Sequence, residues 1–156
     1  MENVSSATGW QQVAEAELVY KTKIKPSERP QIRTSQDIYE LLKHTWQEDK
    51  IELVEQCKVL LLNLNSRVLG IIDLSTGGTC RTIVDTKLLY MAAIKGNASR
   101  IVVAHNHPSG SLKPSKHDEM LTQKIKKAGE YLDIELLDHV IITSEGYFSF
   151  ADEGLL

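Results

Sequence analysis

The chain has 156 residues, 42% of them hydrophobic and 25% charged, which suits one globular domain able to bury its own core without disulfide or metal staples. Its net charge of −3 weighs against a domain that lives on nucleic acid, where neutralising phosphates supplies most of the affinity. No apolar run approaches the roughly 18 residues of a membrane span and the first residues lack the apolar core of a signal peptide, so the expected compartment is the cytoplasm.

Residues 1–33 read as an N-terminal extension with one strand. From Ala14 to Ile24 apolar and small even positions alternate with mostly charged odd ones, the period of a strand with one wet face. Pro26 and Pro30 bound a loop, and Thr34-Ser35 offers the cap of a short helix with Ile38, Leu41, Leu42 and Thr45 or Trp46 on one stripe. Two apolar runs, Val59–Leu62 and Val68–Ile72, predict a hairpin of largely buried strands, followed by a turn at Ser75-Thr76-Gly77-Gly78. Thr82–Val84 predicts a brief strand. Asp85 caps a helix to about Lys95, with Leu88, Met91 and Ala92 facing the core.

Arg100–Ala104 is short and wholly apolar after its first residue, the pattern of a strand buried on both faces. Ser115 then opens a helix to about Leu132, with Leu121, Ile125, Ala128 and Leu132 inward. Residues 136–143 and 147–150 close the chain as a hairpin. The expected fold class is α/β, a mixed sheet flanked by helices in three layers, with residues 34–156 as the domain proper. Cys57 and Cys80 sit among strand-like residues and form no C-x-x-C pair, as in a reduced protein.

The chemistry concentrates where the Arg100–Ala104 strand ends. His105 and His107 stand two apart, so an extended backbone projects both to one side, and Pro108 biases His107 towards extended geometry. Two imidazoles so placed can reach one metal ion. A third ligand can come from the first turn of the following helix. Helical phase leaves His117 and Asp118 tied, since they flank the apolar stripe on opposite sides by similar angles. Three protein ligands and an open fourth position mark a catalytic zinc rather than a structural one. His139, inside a predicted strand, reads first as a hydrogen-bonded core residue and second as a group beside the metal.

His105-x-His107, seven residues, Ser115, two residues and Asp118 resembles the H-x-H-x7-S-x2-D signature of the JAMM (MPN+) metalloproteases. The runs Ala104–Gly110, Pro114-Ser115, Leu136–Ile142 and Tyr147–Asp152 make the RadC-like branch the closer likeness, over residues 34–156. That resemblance implies zinc held by His105, His107 and Asp118. It also implies a hydroxyl from Ser115 near the substrate oxyanion, and an upstream glutamate that activates water. The glutamate maps to Glu55, ahead of Glu52 and then Glu48. On the residues alone, Ser115 is also a plain helix cap and Glu55 a solvated charge at a strand edge.

The implied activity is hydrolysis of a peptide or isopeptide bond in a peptide or protein substrate. The alternatives are a metal-holding protein-binding module and a DNA-repair-associated accessory protein. Two departures from the family weigh against the last. The sequence before residue 34 is too short for the helix-hairpin-helix region of longer members, and Val84-Asp85-Thr86-Lys87 replaces their frequent His-Pro-Arg-Glu. DNA binding is therefore expected to be weak or indirect.

Overall fold

Two hairpins and two helical crossovers build a five-stranded sheet in the computed structural model, which describes residues 22–77 and 84–156. In chain order the elements are α1 (Ser35–Thr45), β1 (Gln56–Leu62), β2 (Val68–Thr76), α2 (Thr86–Lys95), β3 (Arg100–Asn106), α3 (Lys116–Leu132), β4 (Glu135–Ile142) and β5 (Tyr147–Ser149). The strands lie in the order β2-β1-β3-β4-β5. Every neighbouring pair is antiparallel except β3 and β4, and α3 provides the crossover that a parallel pair requires.

Each helix begins where its sequence offers a cap. Thr34 accepts from the Asp37 backbone while Asp37 accepts from the Thr34 backbone, Asp85 accepts from the backbone N–H groups of Lys87 and Leu88, and Ser115 and Asp118 repeat the reciprocal arrangement at α3. Side chains alternate across the strands, so the sheet has two apolar faces. Leu60, Leu62, Val102, Ala104, Val140 and Ile142 pack against Ile38, Tyr39 and Leu42 of α1 and the adjoining Trp46. On the other side Val59, Leu61, Ile101 and Val103 meet Leu89 and Ala93 of α2 and Ile125 of α3. The outcome is the three-layer α/β sheet expected from the sequence.

Details differ from expectation for physical reasons. β2 is an edge strand with a wet face, only Leu74 being buried, and it runs through Ser75 and Thr76 where a turn was expected. On α2 the buried residues are Leu89, Tyr90 and Ala93, whereas Leu88 and Met91 are exposed. The helix TKLLYMAAIK is apolar almost all round, so periodicity does not choose its face; the Tyr90 hydroxyl, donating to the Ile125 carbonyl at 2.6 Å, ties it to α3. On α3 the buried stripe is Asp118, Thr122, Ile125 and Gly129, with Leu132 exposed. Gly129 is required there, because a Cβ would stand 2.2 Å from the Ile134 carbonyl oxygen. The Ala14–Ile24 strand falls almost wholly outside the described residues, as do Cys80 and most of the Thr82–Val84 strand. No helix among the described residues is long and apolar enough to cross a membrane.

One irregularity shapes the site. In the β3–β4 pairing Ile101 faces Leu136 but Val102 faces Asp138, so Leu137 is an extra residue. A bulge of one residue inverts the facing of everything after it. His139 thereby lands opposite Val103, on the α3 side of the sheet, where His105 also points.

Candidate metal centre

His105 is the sixth residue of β3, His107 follows the strand directly, and Asp118 lies in the first turn of α3. His105 and Asp118 are buried, and His107 is partly so. Two imidazole nitrogens and one carboxylate converge. The two Nε2 atoms are 3.1 Å apart, His105 Nε2 is 3.3 Å from Asp118 Oδ1, and His107 Nε2 is 3.7 Å from Asp118 Oδ2. Ligands at about 2.0–2.2 Å around a tetrahedral ion stand about 3.3–3.6 Å from one another. The observed spacings lie near that range, and this trio could hold a metal ion.

α3's cap places Asp118 and His117 differently. Asp118 Oδ2 accepts from the Ser115 N–H and from its hydroxyl, both at 2.7 Å, and Ser115 Oγ accepts the Asp118 N–H at 3.1 Å. These bonds hold the carboxylate inward at the helix start, where a negative group suits the dipole. His117, one residue earlier, is exposed to solvent.

His107 is set by the turn that follows it. The Gly110 N–H closes back on the His107 carbonyl at 3.0 Å, with proline and glycine where a four-residue turn favours them. Gly110 adopts φ +79°, a conformation that costs a residue with a Cβ. The turn returns the Ser111 carbonyl to within 2.7 Å of His107 Nδ1. A carbonyl only accepts, so Nδ1 carries the proton and Nε2 presents its lone pair to the site.

The electrostatics follow from this packing. Burial alone would push the Asp118 carboxyl up, but the facing imidazoles of His105 and His107, with the Ser115 backbone N–H, outweigh it and hold the group far below the usual carboxylate range. His107 is pushed up, chiefly by the facing Asp118 carboxylate, with smaller contributions from the Ser111 carbonyl and the charge of Glu55. His139 is pushed well down, first by complete burial and then by the neighbouring His105.

Asn106, between the two histidines, points to the opposite face and is fully buried. Its Oδ1 accepts the Gln56 N–H at 2.7 Å, and its amide donates to the Ile51 and Val54 carbonyls at 2.7 and 2.9 Å. Those bonds bracket Glu55. Sequence reasoning overlooked Asn106, although an amide inside an apolar strand was a signal that something there required hydrogen bonds.

Glu48 and Glu52 lie on the α1 side of the sheet. Glu52 Oε1 accepts the Ser144 hydroxyl at 2.7 Å, and both Glu48 and Glu52 line a cavity of about 300 Å³ with Tyr39 and Trp46. Thr122 was also overlooked. Its hydroxyl bonds the Asp118 carbonyl at 2.7 Å and meets His139 Nδ1 at 2.6 Å. His139 is the hydrogen-bonded core histidine that was the first expectation, fully buried and stacked on Phe150 with ring centroids 4.7 Å apart, and it also meets His105 at 2.9 Å.

A mixed α/β sheet whose central strand ends in a His-x-His pair facing an aspartate at a helix start defines a domain of the JAB/MPN class. Residues 32–155 match the model of the RadC-like JAB domain, and the chain belongs to that family. It is 41% identical over 130 residues to a UPF0758 protein of Flavobacterium johnsoniae, covering 78% of this chain and 57% of that protein. A UPF0758 protein of Porphyromonas gingivalis is 48% identical over 103 residues, 65% of this chain and 45% of the relative. One from Chlorobaculum parvum is 33% identical over 153 residues, 98% of this chain and 68% of the relative. The chain thus spans about half to two thirds of the length of these relatives.

Proposed function

We propose that this domain is a zinc-dependent hydrolase that cleaves a peptide or isopeptide bond. The observation that carries the reading is the convergence of two imidazole Nε2 atoms and a carboxylate at spacings near those of three tetrahedral corners. His105, His107 and Asp118 would hold the ion, and the fourth corner is left for substrate or water. Zinc bound there supplies a Lewis acid that can lower the pKa of a water molecule from 15.7 to about 7.

The chain's own residues supply the rest. Glu55, close enough for its charge to raise the proton affinity of His107, is assigned as the base that takes a proton from water and returns it to the leaving nitrogen. Asn106 fixes the backbone on both sides of that glutamate, so the base is held without relying on a long free loop. Ser115 caps α3, and its hydroxyl, which donates to Asp118 in the substrate-free protein, is assigned to turn from that carboxylate to the substrate oxyanion.

The test is a peptide-library cleavage screen on zinc-loaded protein, with Glu55→Gln and Glu52→Gln in parallel. Glu55→Gln should keep its zinc and lose turnover by at least about a hundredfold, the scale of lost general base catalysis. Glu52→Gln should remain active. Loss in Glu52→Gln with Glu55→Gln active would move the base to Glu52, and zinc-loaded protein that cleaves nothing would remove the hydrolase reading.

A further inference from the structure

The two ligands His105 and Asp118 come from different elements, yet one chain of hydrogen bonds joins them behind the site. It runs from His105 Nδ1 to His139 Nε2 at 2.9 Å, from His139 Nδ1 to Thr122 Oγ1 at 2.6 Å, and from Thr122 Oγ1 to the Asp118 carbonyl at 2.7 Å. Counting protons fixes its direction. The Asp118 carbonyl can only accept, so the single hydroxyl proton of Thr122 goes there. Thr122 must then accept from His139, which places a proton on His139 Nδ1.

His139 is fully buried and stacked on Phe150, and an imidazole removed from water in this way stays neutral. Its Nε2 is therefore bare and accepts from His105 Nδ1–H. With its Nδ1 protonated, His105 turns an unprotonated Nε2 towards His107 and Asp118. The reverse order would put a proton on that Nε2, which could then bind no cation.

We propose that His139 and Thr122 are positioning residues that impose the metal-binding tautomer on His105 and lock it to the backbone of the third ligand. The inference rests on reading His105 and Asp118 as metal ligands, and is independent of turnover. Histidine ligands in metal sites commonly donate their second N–H to a fixed acceptor. Here the acceptor is another histidine, whose own tautomer is dictated by a threonine one helical turn beyond Asp118. The β-bulge at Leu137 makes the contact possible, by turning His139 to the face of His105.

The test uses the whole protein labelled with nitrogen-15 in its histidines. Two-bond proton–nitrogen correlation spectra, recorded with and without zinc, distinguish the tautomers. Both His105 and His139 should carry their proton on Nδ1, and His139 Nε2 should be bare; a proton on His139 Nε2 would overturn the proposal.

Zinc affinity, measured by competition with a chromophoric chelator, gives a second reading. Thr122→Val should lower it about ten- to a hundredfold, the effect common for groups that orient a ligand, whereas Thr122→Ser should stay near the parent value. A packing role would give the opposite order, because valine preserves the shape and serine loses the methyl. Unchanged affinity in Thr122→Val would likewise refute the relay. If that variant does not fold, the spectra of the unaltered protein decide. If the unaltered protein takes up no zinc, the ligand reading has failed, and the metal-free spectra still judge the proton order.

Discussion

His105 and Asn106 are neighbours in one strand and point to opposite faces of the sheet, where they meet opposite kinds of surroundings. On the α3 side His105 enters a polar cluster with His107, Asp118, His139 and Thr122. On the α1 side Asn106 enters an apolar layer and spends its whole amide on the backbone at Ile51, Val54 and Gln56. The alternation of a β-strand thus separates two tasks within two residues: one face gathers the candidate metal ligands, and the other holds the segment that carries Glu55. A buried polar residue in such a strand is tolerable only when its hydrogen bonds are complete, and each face completes them differently.

The comparison can be broken most strongly from the α3 side. Asp118→Ala removes one of three donors and should lower zinc affinity by more than about a hundredfold, beyond the effect typical of outlying partners. His117→Ala should leave affinity essentially unchanged. Both are read by chelator competition, and the opposite ranking would mean that the exposed histidine is the true ligand.

Breaking the α1 side should have a smaller and different effect. Asn106→Ala leaves two backbone carbonyls and one N–H without their partner, each worth about 1–3 kcal/mol when buried. Urea unfolding should show a loss on the order of 3 kcal/mol, with one zinc still bound per chain and turnover reduced through misplacement of Glu55. If Asn106→Ala loses zinc as readily as Asp118→Ala, the two faces do not separate the tasks.

The pH dependence of the metal-free protein sharpens the account further. His139 is held neutral in the folded state, with its pKa depressed, while the unfolded chain protonates near 6.5. Below that value the unfolded state binds the extra proton, so His139 should make stability fall by up to about 1.4 kcal/mol per pH unit as the pH drops. His107 is shifted upwards and acts oppositely: its contribution is complete below about 6.5 and is lost as pH rises through its folded-state pKa. Together they place a stability maximum near pH 6.5. His139→Phe, which keeps a ring against Phe150, should flatten the acid limb, as equilibrium unfolding at a series of pH values would show.

Much of this arrangement could be read from the chain, and each exception has its own physical cause. His105 and His107 were legible because a strand makes positions two apart share a face. The helix cap at Ser115 was legible from residue type. The choice of Asp118 over His117 needed the capping geometry, since helical phase treats the two alike. The inward face of α2 was misread because its residues are apolar on every side and only the bond of Tyr90 to α3 selects one. The face that His139 takes was not legible, because the bulge at Leu137 inverts the alternation and no residue there announces it. Asn106 and Thr122 escaped notice because hydrophobic periodicity weighs apolar residues, and these two are buried by their hydrogen bonds.

X-ray absorption at the zinc edge on freshly purified protein tests the central claim most directly. Two imidazole nitrogens and oxygen donors should surround one zinc per chain at about 2.0–2.2 Å. Three imidazoles at the metal, or protein that holds no metal at all, would contradict it.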